Sequence, residues 1–223
     1  VVIGILLVKV VPTFAETFTG FGAELPSFTL FVLHLSEAAQ EWWLIWLISI
    51  IGAFFVFREA RRRSAKFNAL VDKYSLKIPI VGDIMYQAII ARFARTLSTT
   101  FAAGVPLVDA LNSVAGAAGN AVYRDATLSV RDDVTTGIQL NQALRATGKF
   151  PVLLLQMASI GEESGALDEM LEKAAEHYEE AVDNAVDNLT TLLEPMIMAV
   201  LGVLVGGLLI AMYLPIFKLG AVI

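Results

Sequence analysis

Long apolar runs alternate with charged blocks along the chain and predict where it crosses a membrane. Residues 195–217, 23 in all, carry no charge, and a helix of this length can span a hydrocarbon core roughly 30 Å thick. Residues 42–57 form a shorter run, with Trp42, Trp43 and Trp46 at one end and arginines at the other, and both residue types favour membrane interfaces. We predict transmembrane helices over 42–57 and 195–217.

A third apolar run opens the sequence at residues 1–11. Its composition fits a span, but it is too short to cross a bilayer alone. Because the sequence begins inside this run, we expect residues 1–11 to be the end of a truncated transmembrane helix.

Basic residues next to the apolar runs predict the orientation of the chain. No Lys or Arg lies between Lys9 and Arg58. Seven basic residues then follow within 20 positions: Arg58, Arg61, Arg62, Arg63, Lys66, Lys73 and Lys77. Because Lys and Arg next to a span stay on the cytoplasmic side, we predict that residues 12–41 form an outer loop and that 58–194 are cytoplasmic. The tail, residues 218–223, then lies outside again.

The predicted cytoplasmic block has helical periodicity that glycine and proline interrupt. No alternating strand pattern extends over more than a few residues. We predict an all-α fold, a helical bundle of about six short helices over residues 77–194, attached to the transmembrane helices through a basic stalk helix at 58–76. The breaks between helices are expected at 79–82, 104–106, 116–119, 137, 148–151 and 161–165.

The last cytoplasmic helix has two different faces in the sequence. Apolar residues from Leu167 to Leu193 recur three or four positions apart, and we predict that this stripe packs. The segment 159–194 also holds 11 acidic residues against one base, Lys173. Three interpretations of these acids stay open: a solvated face, a docking surface for a basic partner, and a site for a divalent ion.

Composition narrows the possible chemistry. Of the 223 residues 57 % are hydrophobic, which is typical of a chain that lies largely in a membrane. There is no Cys and there are two His, which leaves little material for metal centres or Ser-His-Asp catalysis. A net charge of -6 argues against nucleic acid as a partner. The single Gly-Lys pair, Gly148-Lys149, lacks the rest of a phosphate-binding loop, so we predict no NTPase activity. We also predict no cofactor and no metal centre with Cys or His ligands.

Four charged residues of the bundle are candidate contact residues. Glu162 and Glu163 lie in the segment 161–165 (GEESG), near the end of a helix, where negative charge is unfavourable. Either Arg92 or Arg95 of the bundle, or a partner protein, would offset this cost; the alternative is a plain turn. We predict that Glu162, Glu163, Arg92 and Arg95 contact one another or a partner.

Two further groups suggest contacts with the membrane or with another helix. Arg58, Arg61, Arg62 and Arg63 are typical of a topology anchor, and the last three with Lys66 also suit a partner protein or anionic headgroups. In the last apolar run, Gly202 and Gly206 lie one helical turn apart, which favours the close approach of another helix. That helix belongs either to the same chain or to a second copy.

Several motifs occur in a fixed order along the whole sequence. They are FARTL at 93–97, AGVPL at 103–107, FP at 150–151, GEESGAL at 161–167, LEP at 193–195 and YLPIF at 213–217, preceded by VVP at 10–12 and GAELP at 22–26. With these motifs the chain resembles the inner-membrane platform proteins of type IV pilus assembly and type II secretion, the PilC/GspF type. The closing LPIF resembles the pilus branch more than the secretion branch.

This resemblance implies a non-enzymatic, multi-pass platform in the bacterial inner membrane, with its main domain in the cytoplasm and residues 12–41 and 218–223 in the periplasm. Such a platform couples cytoplasmic hexameric ATPases to the insertion of pilin subunits into a filament and to their extraction. Other inner-membrane assembly proteins and further copies of the chain are implied as partners. Family members carry two copies of the helical domain, so residues 77–194 would be the second copy and the chain a C-terminal part.

Other functions compete with this interpretation. A secretion platform of the same family is the nearest alternative. A transporter subunit for ions or small solutes would normally place ionisable groups within its spans, and here Lys9 is the one charge inside a predicted span. A membrane enzyme would need clustered catalytic groups, and Glu162 and Glu163 are the main candidates for these.

Overall fold

The computed structural model describes Thr13 and residues 27–220. The helices of this part are α1 (Ser27–Arg63), α2 (Ala65–Ser75), α3 (Val81–Ala102), α4 (Leu107–Ala117), α5 (Ala121–Thr135), α6 (Leu140–Thr147), α7 (Val152–Ser164) and α8 (Leu167–Gly220). No strand occurs between residues 27 and 220, so the predicted all-α fold class is confirmed. The predicted span at 1–11 lies outside the described residues.

The helices fall into two compact units. One unit contains the residues up to Arg58 and from Thr190 onwards, and the other is Glu59–Leu189, which we call the helical domain. Among the described residues, one helical stretch, Leu167–Ala211, is long and apolar enough to cross a membrane. Helix α1 also qualifies if Thr29–Trp42 and Leu44–Arg63, which meet at 57°, count as one bent span.

The helical domain has one apolar core in its described residues, and α3 contributes much of it. Ile90, Phe93 and Leu97 are buried on one side of α3, three and four residues apart, as expected for the inward face of an amphipathic helix. The ring of Phe93 packs 4.7 Å from that of Phe150, which in turn lies 5.8 Å from Tyr123. Burial raises the pKa of the Tyr123 hydroxyl above its usual value.

Glycine and proline set most of the helix boundaries, as predicted. Gly148 and Gly165 end α6 and α7 in the left-handed conformation, with φ of 62° and 74°. Pro106 and Pro151 directly precede α4 and α7. Gly161 differs from the expectation, because α7 continues through it to Ser164.

The predicted stalk at residues 58–76 falls on two helices. Helix α1 ends at Arg63 and α2 begins at Ala65. Between them, Ser64 has an extended backbone, and its hydroxyl accepts a hydrogen bond of 3.2 Å from the amide of Phe67. Ser64 is therefore the N-cap of a new helix, and serine is among the residues preferred at that position.

The apolar stripe of α8 packs along its first part. Leu167, Leu171, Ala174 and Tyr178 are buried in the core of the helical domain, which confirms the prediction for this stretch. Further along, Val186, Leu192 and Leu193 are exposed, so the prediction that they also pack is wrong in this structure. Along α8 the buried core of the helical domain extends only as far as Tyr178.

Candidate partner-binding surface

Helix α3 directs two of the predicted contact residues away from the core. Its inward face is filled by apolar side chains and by Ser98, whose hydroxyl donates a 3.0 Å hydrogen bond to the carbonyl of Asp168 on α8. Arg92 and Arg95 lie on the remaining face; Arg92 is exposed and Arg95 is half-buried. Both arginines therefore stand at the surface of the helical domain beside α8.

Arg95 connects α3 to α8 through two glutamates. Its Nε donates to Oε1 of Glu179 at 2.9 Å and its Nη2 to Oε2 of the same residue at 2.6 Å, which makes a bidentate pair. Its Nη1 donates to Oε1 of Glu172 at 3.2 Å. Glu172 and Glu179 lie seven residues apart, two helical turns, so both face the same arginine.

The charges of this cluster stabilise one another. The hydrogen bond from Arg95 lowers the pKa of the Glu179 carboxyl, and the bond to Glu179 raises the pKa of the Arg95 guanidinium. All three side chains keep solvent contact, so each of the two ion pairs of Arg95 contributes about 1 kcal/mol or less to stability. The cluster therefore fixes the position of Arg95, whereas Arg92 has no ion-pair partner among the described residues.

A cleft of about 490 Å³ lies between α3 and α8 next to this cluster. Small and apolar side chains, including Ala88, Ala91 and Val182, line part of it. Charged side chains also line it, namely Arg92, Asp183 and the paired Arg95 and Glu179. Arg92 makes no ion pair or hydrogen bond within the described part of the chain.

Arg92 also lies close to the turn between α4 and α5. A Cβ added to Gly119 would lie 2.6 Å from Nη1 of Arg92, and Gly119 has a φ of 66°, which favours glycine. The guanidinium therefore rests against backbone that has no side chain. This contact places Arg92 without neutralising its charge.

Glu162 has a structural role that the sequence did not indicate. Its Oε1 accepts a hydrogen bond from the amide of Leu140, and its Oε2 accepts one of 2.9 Å from the amide of Asn141. These are the first two residues of α6, whose N-cap residue Gln139 makes no side-chain cap. The carboxylate therefore caps α6, and the positive end of that helix compensates the unfavourable position of Glu162 on α7.

Glu163 is exposed beside this cap. Its Oε1 accepts a 3.3 Å hydrogen bond from the hydroxyl of Ser159, one turn earlier on α7. Among the described contacts, neither Glu162 nor Glu163 forms a hydrogen bond or ion pair with Arg92 or Arg95. The structure thus gives Arg95, Glu162 and Glu163 other partners than the sequence suggested. The role of all four predicted residues as partner contacts stays a prediction.

Asp72 is a buried residue that the sequence interpretation missed. Its Oδ1 accepts a 2.8 Å bond from Nη2 of Arg61, and its Oδ2 accepts a 2.9 Å bond from the amide of Ala121 at the start of α5. The amide of the Asn120 side chain donates to the carbonyl of Asp72 at 3.3 Å. Arg61, predicted as a topology anchor, therefore also joins the end of α1 to α2 and α5.

No described residue packs against the glycines of the last apolar run. A Cβ added to Gly202, Gly206 or Gly207 would meet nothing within 4 Å. The contact between α1 and α8 lies further along, where the hydroxyl of Thr29 donates a 2.8 Å bond to the carbonyl of Ala211. Room for another helix therefore remains beside Gly202 and Gly206.

The acidic residues of α8 do not converge in the structure. Between residues 27 and 220 no group of three or more Asp, Glu or His is close enough together to hold a metal ion. Of the interpretations left open by the sequence, a solvated face and a docking surface are compatible with this arrangement.

Comparison with known proteins places the chain in a family. Residues 93–215, more than half of the chain, match the family described as type II secretion system (T2SS), protein F. The chain belongs to the type II secretion system protein F family. The predicted resemblance is thereby confirmed, and most of the helical domain with the last apolar run lies within the matched part.

Relatives of the chain include pilus and secretion members of this family. The chain is 61 % identical over its whole length to the type IV pilus assembly protein PilC of Pseudomonas aeruginosa, of which it covers 60 %. Over 99 % of its length it is 54 % identical to the pilus assembly protein TapC of Aeromonas hydrophila, of which it covers 53 %. It is 32 % identical to the type II secretion system protein F of Pseudomonas aeruginosa over its full length and 55 % of that protein. The chain thus spans between about half and three fifths of the length of these relatives.

Proposed function

We propose that the chain is the C-terminal part of an inner-membrane platform protein of type IV pilus assembly, which couples cytoplasmic hexameric ATPases to pilin insertion and extraction. One observation carries the choice of pilus over secretion. In a single organism, Pseudomonas aeruginosa, the pilus relative is identical to the chain at 61 % of the aligned positions and the secretion relative at 32 %. A chain that keeps the same partners is expected to keep more of the residues that contact them.

The continuity of α8 supports the mechanical part of this proposal. The acid-rich segment and the apolar run at 195–217 belong to one helix, Leu167–Gly220, with no loop between them. We infer that a push or rotation received by the first part of this helix is passed on to the second part through its continuous backbone. The seven basic residues within 58–77 support a cytoplasmic location of the helical domain.

Arg92 and Glu163 are the residues that we propose for contact with an ATPase. Both are exposed, and Arg92 stands in the wall of the α3–α8 cleft without an ionic partner among the described residues. Arg95 and Glu162, in contrast, are held by Glu179 and by the amides of α6. We infer that Arg95 and Glu162 shape the surface on which the partner binds.

Exchange experiments in Pseudomonas aeruginosa test the choice between pilus and secretion. When this chain replaces the matching part of PilC, we expect surface pili to be restored in a cell that lacks PilC. The same replacement in the secretion system protein F is expected to leave secretion defective. Restored secretion without restored pili would contradict the proposal.

Charge reversal at Glu163 tests the partner contact. We expect Glu163→Lys to weaken binding of the assembly ATPase by about thirtyfold, because a contact of about 2 kcal/mol at an interface is lost. Abundance in the membrane and helicity should stay normal, since the side chain is exposed and makes one weak hydrogen bond. Asp109→Lys, which reverses another exposed acid of the helical domain, is the matched control. Equal ATPase binding by the two variants would remove Glu163 from the contact.

Self-association through α8 is part of the same proposal. The open space beside Gly202 and Gly206 supports the approach of a helix from a second copy. We expect the double change Gly202→Leu and Gly206→Leu to lower the number of copies in the complex, because bulky side chains would prevent close approach of a second helix. The mass of the native complex measures this effect.

A further inference from the structure

An apolar stripe lies exposed on α2 and on the turn that follows it. Leu70 and Tyr74 lie four residues apart and so share one face of the helix; Leu70 is 55 % and Tyr74 60 % exposed. Ile78 and Ile80 in the turn are 50 % and 55 % exposed. We call these four residues the α2 stripe.

The packing of α2 does not depend on this stripe. The opposite face of the helix carries the buried Asp72, and Leu76 beyond its end packs against the core of the helical domain. Ala69, three residues before Asp72 and on the same side, is half-buried. Because these residues fix α2, the exposed stripe is surface that the fold leaves uncovered, and exposed apolar surface of this kind is typical of interaction sites.

A strained turn keeps one member of the stripe at the surface. Ile80 has φ 70° and ψ -59°, and the amide of Val81 donates a 2.9 Å hydrogen bond to the carbonyl of Pro79, which closes a γ-turn. Ile80 is the single non-glycine residue of the described chain with a positive φ, a conformation that is rare for β-branched side chains. Burial of its side chain does not offset this strain, because Ile80 is exposed. Strain of this kind clusters at functional positions.

Positive charge adjoins the stripe. Residues 58–77 contain seven basic residues and two acids, and both acids are already engaged, Glu59 by Arg63 and Asp72 by Arg61. Lys73 on α2 and Lys77 in the following turn are exposed and make no ion pair among the described residues. The Nζ of Lys77 lies 5.8 Å from the ring centre of Tyr74, so charge and apolar surface adjoin.

We propose that the α2 stripe, with Lys73 and Lys77, binds the headgroup region of an anionic phospholipid bilayer. Apolar side chains flanked by lysine and arginine match a surface of lipid phosphates above acyl chains. The sequence brings this surface near a membrane, since residues 58–64 alone separate α2 from the predicted span at 42–57. At about 1.5 Å per residue these seven residues extend roughly 10 Å if they are helical.

Charge also argues against the simplest protein occupant. A second copy of the chain bound symmetrically on the stripe would bring two sets of basic residues together, and like charges in contact disfavour association. An anionic lipid surface has the opposite charge. We therefore expect α2 to lie on the membrane and to orient the helical domain there, a role separate from any contact with an ATPase.

Depth-dependent quenching tests this binding in the full-length chain. The chain contains no Cys, so Leu70→Cys and Tyr74→Cys each offer a single attachment site for an environment-sensitive fluorophore. The labelled protein is placed in nanodiscs that contain phosphatidylglycerol and lipids with brominated acyl chains. We expect the bromine to quench both probes several-fold more than a probe at Ser129→Cys, an exposed position on α5.

Lipid charge and protein charge provide the controls. Replacement of phosphatidylglycerol by phosphatidylcholine, or the double change Lys73→Glu and Lys77→Glu, should reduce quenching at position 70 to near that at position 129. Circular dichroism confirms that each variant is folded. Equal quenching at positions 70 and 129 in the anionic nanodiscs would overturn the proposal. So would a disulfide between two copies at Leu70→Cys without lipid quenching, because a second copy would then occupy the stripe.

Discussion

Gly161→Ala should lower the stability of the helical domain, although alanine favours helices. A Cβ at this position would lie 2.8 Å from Cα of Leu167 and 3.3 Å from Cβ of Met170. The first contact is with backbone, which cannot rotate away, so α7 and α8 would have to move apart. Overpacking of this kind costs about 1–3 kcal/mol.

Gly116→Ala is the matched control for this change. Gly116 also lies inside a helix, α4, but a Cβ there would meet nothing within 4 Å. The control should therefore gain up to about 1 kcal/mol from the higher helix propensity of alanine. Thermal unfolding of the two full-length variants, followed by circular dichroism, isolates the clash, because both variants replace a helical glycine with alanine. Equal melting temperatures would show that α7 and α8 are not in the described close contact.

Asp72→Ala should destabilise the helical domain by about 2–4 kcal/mol. The change leaves the amide of Ala121 without its carboxylate acceptor and removes the buried partner of Arg61. It therefore loosens the end of α1 from α5 while leaving the apolar core unchanged. Urea unfolding of the helical signal in the full-length chain, compared with the unchanged sequence, measures this loss.

Two further variants make the Asp72 result specific. Asp125→Ala also deprives an arginine of its carboxylate, but the Arg124–Asp125 pair is exposed and its loss should cost less than about 1 kcal/mol. Asp72→Asn keeps an oxygen that can accept one of the two hydrogen bonds, so its effect should lie between those of the two alanine variants. If Asp72→Ala and Asp125→Ala were equally stable, the buried junction would have no special importance.

Local features of the fold were predictable because glycine and proline act within a few residues. The ends of α6 and α7 and the starts of α4 and α7 follow from Gly148, Gly165, Pro106 and Pro151. The break at Ser64 was missed, although a serine before a helical segment is a known cap signal. Apolar spacing also predicted the buried part of α8, but periodicity alone could not show that burial ends at Tyr178.

The contacts of the candidate surface depend on tertiary packing, so they could not be predicted from the sequence. Arg95 and Glu179 are 84 residues apart, and their pairing follows from the alignment of α3 with α8. The unfavourable position of Glu162 could be inferred, but its compensation comes from α6, which packs beside α7. Asp72 offered one signal that was not used: it is one of two acids in a strongly basic segment.

The order of helix contacts in the domain bears on how the protein is made. Helices α3 to α7 pack mainly against their neighbours in sequence, and the core is completed by α8 residues up to Tyr178. Local contacts of this kind favour rapid folding, and domains form as units during synthesis from the N-terminal side. Every residue of this core therefore leaves the ribosome before residues 195–217 do. The helical domain can therefore fold before residues 195–217 are synthesised, which protects the apolar core residues of its helices from aggregation.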